Sequence, residues 1–141
     1  MAKIEVTIDV IVHATEDPVK FFESFHEMFG LDKEVFSISN VVGHFENPIT
    51  ILRGKVTKKP ARQFLEKFLE ILSENQKKEI TDEIEERTED STLHIRFDKQ
   101  AFFQRRIDFI EKEAIRLKIH TPIYNKKDTV RVFSEIFQKV N

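Results

Sequence analysis

The chain contains no cysteine, no tryptophan, and only three glycines and four prolines in 141 residues. Without cysteine there can be no disulfide and no thiolate chemistry, which suits the reducing cytoplasm, where we expect the protein to reside. No apolar run approaches the roughly 20 residues that a membrane-spanning helix needs. The N-terminus alternates apolar and polar residues instead of forming an apolar block, so no secretion signal is predicted.

The composition is that of a globular protein, with 40% hydrophobic and 34% charged residues. The length predicts a single domain over residues 1–141, and the fourteen phenylalanines predict a Phe-rich core. The net charge of -2 argues weakly against a nucleic-acid partner. The charge is segregated, however: residues 79–90 hold seven acids and one arginine, and the remaining chain carries 22 basic and 18 acidic residues. The distribution of charge along the chain says more about the kind of binding partner than the net charge does.

Hydrophobic periodicity predicts strands at residues 3–13, 34–42, 49–56, 92–97 and 114–121. Helices are predicted at residues 18–29 (with Val19 on the buried face), 60–72, 99–104, from Ser73 and from Asn125. Residues 107–113 fit either a helix or an edge strand. The alternation of apolar and polar positions shifts by one residue within residues 49–56, which predicts a β-bulge near Arg53 and Gly54. Short turns between neighbouring strands favour an α+β two-layer sandwich, a mainly antiparallel sheet with helices packed on one face.

No catalytic or metal-binding constellation is evident. His44 and Glu46 form an H-x-E pair, but a zinc deaminase also needs a downstream P-C-x-x-C, and other metal schemes need a second ligand cluster. Neither G-x-S-x-G nor a P-loop is present. The sequence therefore predicts a protein that is not an enzyme and has no metal and no cofactor.

Residues 43–62 form a basic edge. Asn47 and Pro48 predict a turn, and Pro60 fits the first turn of a helix. The cations around that helix start are Arg53, Lys55, Lys58, Lys59 and Arg62, with no acidic residue among them. Because a helix N-terminus presents free N–H groups and a positive dipole end, this helix start is a candidate anion site.

The outward positions of the predicted strands are also basic. They include Arg96, Arg116 and Lys118, together with three histidines, beside the acids Glu5 and Asp9. A basic, polar sheet face suits a ligand with phosphates and planar bases. The pattern alone favours a simpler interpretation over a binding face: long basic side chains that keep an exposed sheet face in contact with water. Phe45 and Tyr124 fall in predicted loops, where either can cover the edge of the core, and no aromatic stacking platform is evident.

Three motifs, HATED at 13–17, GHFENPI at 43–49 and FDKQA at 97–101, resemble in order and spacing a family of small archaeal RNA-binding proteins. Members are described as predicted exosome-associated subunits. The resemblance implies a fold similar to the ribosomal protein that docks the small RNA of the large subunit, and RNA binding without catalysis. The residues that match the motifs are Gly43, His44, Asn47, Pro48, Asp98, Lys99 and Gln100. The chain departs from the pattern at Glu46, where glycine is usual.

The sequence and the resemblance together predict a non-catalytic RNA-binding protein, accessory to RNA processing or degradation, with RNA and subunits of an RNA-processing complex as partners. The predicted RNA-binding residues are Gly43, His44, Asn47, Lys55, Lys58, Lys59, Arg62, Arg96, Lys99, Gln100, Arg116 and Lys118. The alternative is a protein–protein adaptor that uses an acidic helix at residues 77–90. A homodimer formed at an unpaired strand edge is left open.

Overall fold

A computed structural model of the chain describes residues 3–42 and 47–139. The strands are β1 (Glu5–His13), β2 (Phe36–Val42), β3 (Pro48–Thr57), β4 (Thr88–Glu89), β5 (Thr92–Asp98) and β6 (Ala114–His120). The helices are α1 (Pro18–Phe29), α2 (Lys58–Ile71), α3 (Glu74–Asp82), α4 (Ile84–Arg87), α5 (Lys99–Phe103) and α6 (Thr129–Lys139). Short 3-10 helices lie at Lys33–Val35 and Lys126–Asp128.

The strands form one six-stranded antiparallel sheet in the order β2-β3-β1-β6-β5-β4, which confirms the predicted α+β class. Residues 107–113 are neither a helix nor a regular strand. They lie beside the end of β5. An isolated antiparallel bridge joins Phe97 to Phe109, and the Ile110 N–H donates to the Arg96 carbonyl at 3.2 Å. This segment and β4 both pair with β5, so backbone groups along that side of β5 do not form an unpaired sheet edge.

Local capping chemistry sets several helix ends. The Asp17 carboxylate accepts the Val19 N–H at 3.0 Å to begin α1, and Gly30 ends that helix with φ 67°. Ser73 and Gln76 form a reciprocal capping box at the start of α3. Asp98 caps α5 by accepting the Ala101 N–H at 3.0 Å.

The described chain divides into two compact units. Unit 2 consists of residues 7–42, 47–55 and 96–117, and its core is a phenylalanine cluster. The Phe25 ring lies 4.7 Å from Phe102 and 4.8 Å from Phe36, and Phe102 lies 5.5 Å from Phe97 on β5. Helices α1 and α5 therefore cover the apolar side of this part of the sheet, where Ile8, Val10 and Val12 alternate inward from β1.

Unit 1 consists of residues 3–6, 56–95 and 118–139. The sequence places the apolar residues Phe64, Leu65, Phe68, Leu69 and Leu72 at helical spacing, and all five are buried along α2 and the residue that ends it. Helix α6 packs against α3 and α4, and Ile80, Ile84 and Phe133 are almost fully buried. The apolar periodicity thus placed the core of this unit correctly. A single domain over residues 1–141 stays a prediction.

Two expectations from the sequence are wrong. The β2–β3 ladder runs one-to-one from Phe36↔Gly54 to Val42↔Pro48, so it contains no bulge at Arg53 and Gly54. A Cβ at residue 54 would meet Phe36 Cε1 at 2.8 Å, so Gly54 makes room for that ring. The second wrong expectation is the acidic helix at residues 77–90. After Asp82 the chain forms the one-turn α4, then β4, and turns back at Asp90 and Ser91, both with positive φ.

Candidate nucleic-acid interface

Two arginines of unit 2 point away from the helices on neighbouring strands. Arg96 lies between the buried Ile95 and Phe97 on β5, and Arg116 lies between the buried Ile115 and Leu117 on β6. Because successive side chains of a strand alternate between faces, both guanidinium groups are on the open side of the sheet. Both residues are exposed, and neither forms an ion pair with any residue of 3–42 or 47–139.

A third arginine on this face is compensated by an acid that the sequence analysis did not pair with it. Arg53 Nε on β3 donates to Asp9 Oδ1 on β1 at 2.6 Å, and the Asp9 side chain is only 11% exposed. This hydrogen bond, together with the negative charge of Asp9, raises the pKa of Arg53. Arg53 therefore joins two strands, whereas Arg96 and Arg116 remain available for an external anion.

A shallow depression lies beside Arg116 in unit 2. Its lining includes Ile11, His13, Lys99, Glu113 and Arg116. His13 Nε2 lies 3.8 Å from Glu113 Oε1, a contact that becomes an ion pair only when the imidazole is protonated. The depression thus places the Arg116 guanidinium and the His13 imidazole, which can contact a phosphate or a base, beside the carboxylates of Glu111 and Glu113.

Lys99 is directed into the protein. Its side chain is 7% exposed, and its ammonium donates to the Ile11 carbonyl at 2.6 Å and to Glu16 Oε1 at 3.0 Å. We therefore assign Lys99 a structural role and remove it from the residues proposed to contact RNA. Gln100, the next residue on α5, is exposed.

Unit 1 contains the second group of predicted cations. Lys58 and Lys59 are exposed at the start of α2, and Arg62 is half-buried one turn later. Lys58 has φ 56°, a conformation that costs energy for any residue with a Cβ. The Thr57 side chain makes no capping hydrogen bond, and no acid lies in the first turn. Lys118, on β6, is half-buried.

The remaining predicted residues are Gly43, His44, Asn47 and Lys55. Asn47 and Lys55 are exposed in unit 2, while Gly43 and His44 lie outside the described residues. Within residues 3–42 and 47–139, no three histidine or acidic residues are grouped closely enough to hold a metal ion. In the same part of the chain, no helix has the length and apolar character to cross a bilayer.

Comparison with known proteins shows the family to which this chain belongs. A family model described as RNA binding matches residues 5–121. The chain belongs to this RNA-binding family. RNA-binding protein PAB1135 of Pyrococcus abyssi is 30% identical over 139 residues, covering 92% of this chain and 90% of the relative.

Two solved structures share both the fold and some sequence with this member of the RNA-binding family. Protein AF2318 of Archaeoglobus fulgidus, described as a DUF54 protein, has a TM-score of 0.80 at 28% identity, covering 94% of this chain and 97% of that one. A DUF54 protein from Methanothermobacter thermautotrophicus has a TM-score of 0.77 at 27% identity, covering 97% and 99%. The architecture is therefore shared by archaeal proteins over nearly the whole chain.

Tyr124 differs from its sequence-based interpretation. Its loop position allows it to cover the edge of the core, but the residue is 97% exposed. Its chemistry was visible in the sequence as the single tyrosine of the chain. Only the folded structure shows that the described residues leave its ring exposed to solvent.

Proposed function

We propose that this protein binds RNA through the open face of unit 2 and takes part in RNA processing as an accessory, non-catalytic component. The observation that carries the proposal is the pair of exposed arginines, Arg96 and Arg116, on adjacent strands without an acidic partner among the described residues. A planar guanidinium can bind a phosphate through two parallel hydrogen bonds and can also stack on a base. Association with the exosome rests on the sequence resemblance alone.

The start of α2 is the second proposed phosphate contact. Lys58 and Lys59 are exposed beside N–H groups that no side chain of Thr57 caps. The positive end of the helix dipole and the two ammonium groups all favour an anion there. Lys118 and Arg62, both half-buried, are proposed to add to the positive potential of unit 1.

A salt-dependent binding titration tests the proposal. Filter binding of a structured RNA would compare the wild type with the double variant Arg96→Gln/Arg116→Gln at several salt concentrations. The variant should bind more weakly, and its salt slope should be smaller in magnitude by about 0.7 to 0.9 for each phosphate that it no longer neutralises. The matched control is Lys20→Gln/Lys67→Gln, which removes the same charge from exposed positions on α1 and α2.

Three results would count against the proposal. Equal affinity of the arginine variant and the wild type would remove the sheet face as the binding surface. Cleavage of the RNA during incubation would contradict the non-catalytic role. Partners that remain bound to the protein in a cell extract after RNase treatment, without measurable RNA affinity, would favour the adaptor function. A homodimer formed at an unpaired strand edge also stays a prediction.

A further inference from the structure

Tyr124 is the exceptional aromatic residue of the described chain. The rings of Phe21, Phe25, Phe64 and Phe102 are at most 1% exposed, whereas Tyr124 is 97% exposed. The chain has one tyrosine and no tryptophan. An exposed aromatic ring on a protein surface offers a face for stacking.

The backbone around Tyr124 is held in place on both sides. Before it, the N–H groups of Thr121 and Ile123 donate to the carbonyl and the hydroxyl of Ser91, at 3.2 and 3.3 Å. After it, the Asn125 side chain accepts the Lys127 N–H at 3.1 Å, and the Asn125 carbonyl accepts the Asp128 N–H at 2.8 Å. The ring is therefore presented from an ordered loop, which lowers the entropy cost when a ligand binds.

A groove runs beside this ring within unit 1. Its volume of about 630 Å³ is in the range of small-ligand sites. Its lining includes Tyr124, Lys126 and Lys127 from the segment before α6, and the acids Glu85, Glu89 and Asp90 from the segment around α4 and β4. The two lysines are exposed, and no ion pair joins them to another described residue.

We propose that this groove binds an unpaired nucleotide of single-stranded RNA, with the base stacked on Tyr124. Lys126 and Lys127 bind the adjoining phosphates, and the carboxylates of Glu89 and Asp90 accept hydrogen bonds from amino groups of the base. Base–aromatic stacking tolerates any base, because every base has a π-face. Carboxylates accept from exocyclic amino groups such as N4 of cytosine, so oligo(C) and oligo(A) should bind better than oligo(U).

The charges of the groove favour this ligand over two others. A duplex would bring two phosphate backbones towards a groove that is also lined by Glu85, Glu89 and Asp90, where like charges repel. A peptide rich in arginine would satisfy the acids, but it would place its own cations against Lys126 and Lys127. A single unpaired nucleotide carries a phosphate and, on its base, amino groups, so it can meet both the lysines and the carboxylates that line the groove.

The single tyrosine makes the site directly observable. Tyrosine emission, corrected for absorption by the RNA, reports on residue 124 alone because the chain has no tryptophan. We expect oligo(C) and oligo(A) to quench this emission, and a blunt duplex to leave it nearly unchanged. In filter binding, Tyr124→Ala should weaken single-strand affinity roughly 5- to 100-fold, whereas Tyr124→Phe, which keeps the ring, should bind within about twofold of the wild type.

The inference rests on the proposed function, and its failure can be distinguished from that of RNA binding itself. If RNA binds the wild type and Tyr124→Ala equally, and emission does not change, the groove site is wrong while the proposed function stands. If no RNA binds at all, both are wrong. Quenching by an arginine-rich peptide but by no RNA would make the groove a protein-docking site instead. Because residue 124 is exposed, Tyr124→Ala should keep the wild-type melting temperature, so weaker binding by this variant is not an unfolding effect.

Discussion

Lys99 Nζ lies 3.0 Å from Glu16 Oε1 and 2.6 Å from the carbonyl oxygen of Ile11. Glu16 Oε1 also accepts the His13 N–H at 2.9 Å. Two of the motifs that carry the family resemblance, at residues 13–17 and 97–101, are thus joined by one ion pair. The lysine of the second motif holds the end of β1 and the entry to α1 in place.

Replacing Lys99 with alanine should lower the free energy of unfolding by about 3 kcal/mol, because the Glu16 carboxylate and the Ile11 carbonyl lose a shared buried donor. Urea denaturation measures this change. The matched control is Lys20→Ala, an exposed lysine of α1, which should stay within about 0.5 kcal/mol of the wild type. If Lys99→Ala kept full stability but no longer bound RNA, the structural role of Lys99 would be refuted.

The Glu16 carboxylate should make stability depend on pH. Burial by itself would raise its pKa, but the His13 N–H and the Lys99 ammonium together hold it below its ordinary value of 4.5. A carboxylate whose pKa is lower in the folded state stabilises that state fully above pH 4.5. This stabilisation disappears as the pH falls through that value towards the folded pKa.

Glu16→Gln should therefore reduce the decline in stability below pH 4.5, as urea midpoints measured between neutral and acidic pH would show. Glu66→Gln, at an exposed position of α2, is the control and should keep the wild-type profile. Identical acid profiles for Glu16→Gln and the wild type would show that Glu16 does not contribute to acid unfolding.

Gly54→Ala tests the close approach of β3 to the Phe36 ring. The new Cβ would lie 2.8 Å from Phe36 Cε1, and this ring is already held by Phe25 at 4.8 Å. Overpacking of this kind should cost about 1 to 3 kcal/mol in the free energy of unfolding. In a double-mutant cycle, Phe36→Leu should recover part of that cost; purely additive effects would contradict the steric explanation.

Lys58→Gly should stabilise the protein. With φ 56°, Lys58 occupies a left-handed conformation that costs about 1 to 2 kcal/mol for a residue with a side chain and little for glycine. The neighbouring Lys59→Gly is the matched control, because glycine inside a helix should instead cost about 0.5 to 1 kcal/mol. Thermal melting of the two variants should move in opposite directions, and a shift in the same direction would contradict the assigned strain.

Removing both charges at the start of α2 separates folding from binding. Lys58→Gln/Lys59→Gln should leave the melting temperature unchanged or slightly higher, because cations beside the positive end of a helix are unfavourable. RNA binding should weaken, and the salt slope should be smaller in magnitude by about 0.9 for each duplex phosphate no longer neutralised, or roughly 0.7 for a single strand. An unchanged affinity and slope would exclude this helix start as a phosphate-binding position.

Helix rotation was harder to predict than helix position. The spacing along α1 predicts Val19 on the buried face, yet Val19 is 54% exposed, while Phe21 and Ser24 are fully buried. Phe21 packs on the Phe103 ring at 4.8 Å, and the Ser24 hydroxyl accepts a hydrogen bond from Arg105 at 2.9 Å. Both partners come from a distant segment, so the periodicity of the helix alone cannot choose between adjacent faces.

The sequence by itself determined the features that depend on neighbouring residues. These are the alternation that turns Arg96 and Arg116 outward, the buried stripe of α2, and the caps at Asp17, Ser73 and Asp98, all of which act within a few residues. Only the tertiary structure decided which cations remain available to bind an external anion. Arg53 meets Asp9 from 44 positions away and Lys99 meets Glu16 from 83, and the Tyr124 ring is left exposed. Contacts between distant segments form only when the chain folds, so no local pattern records them.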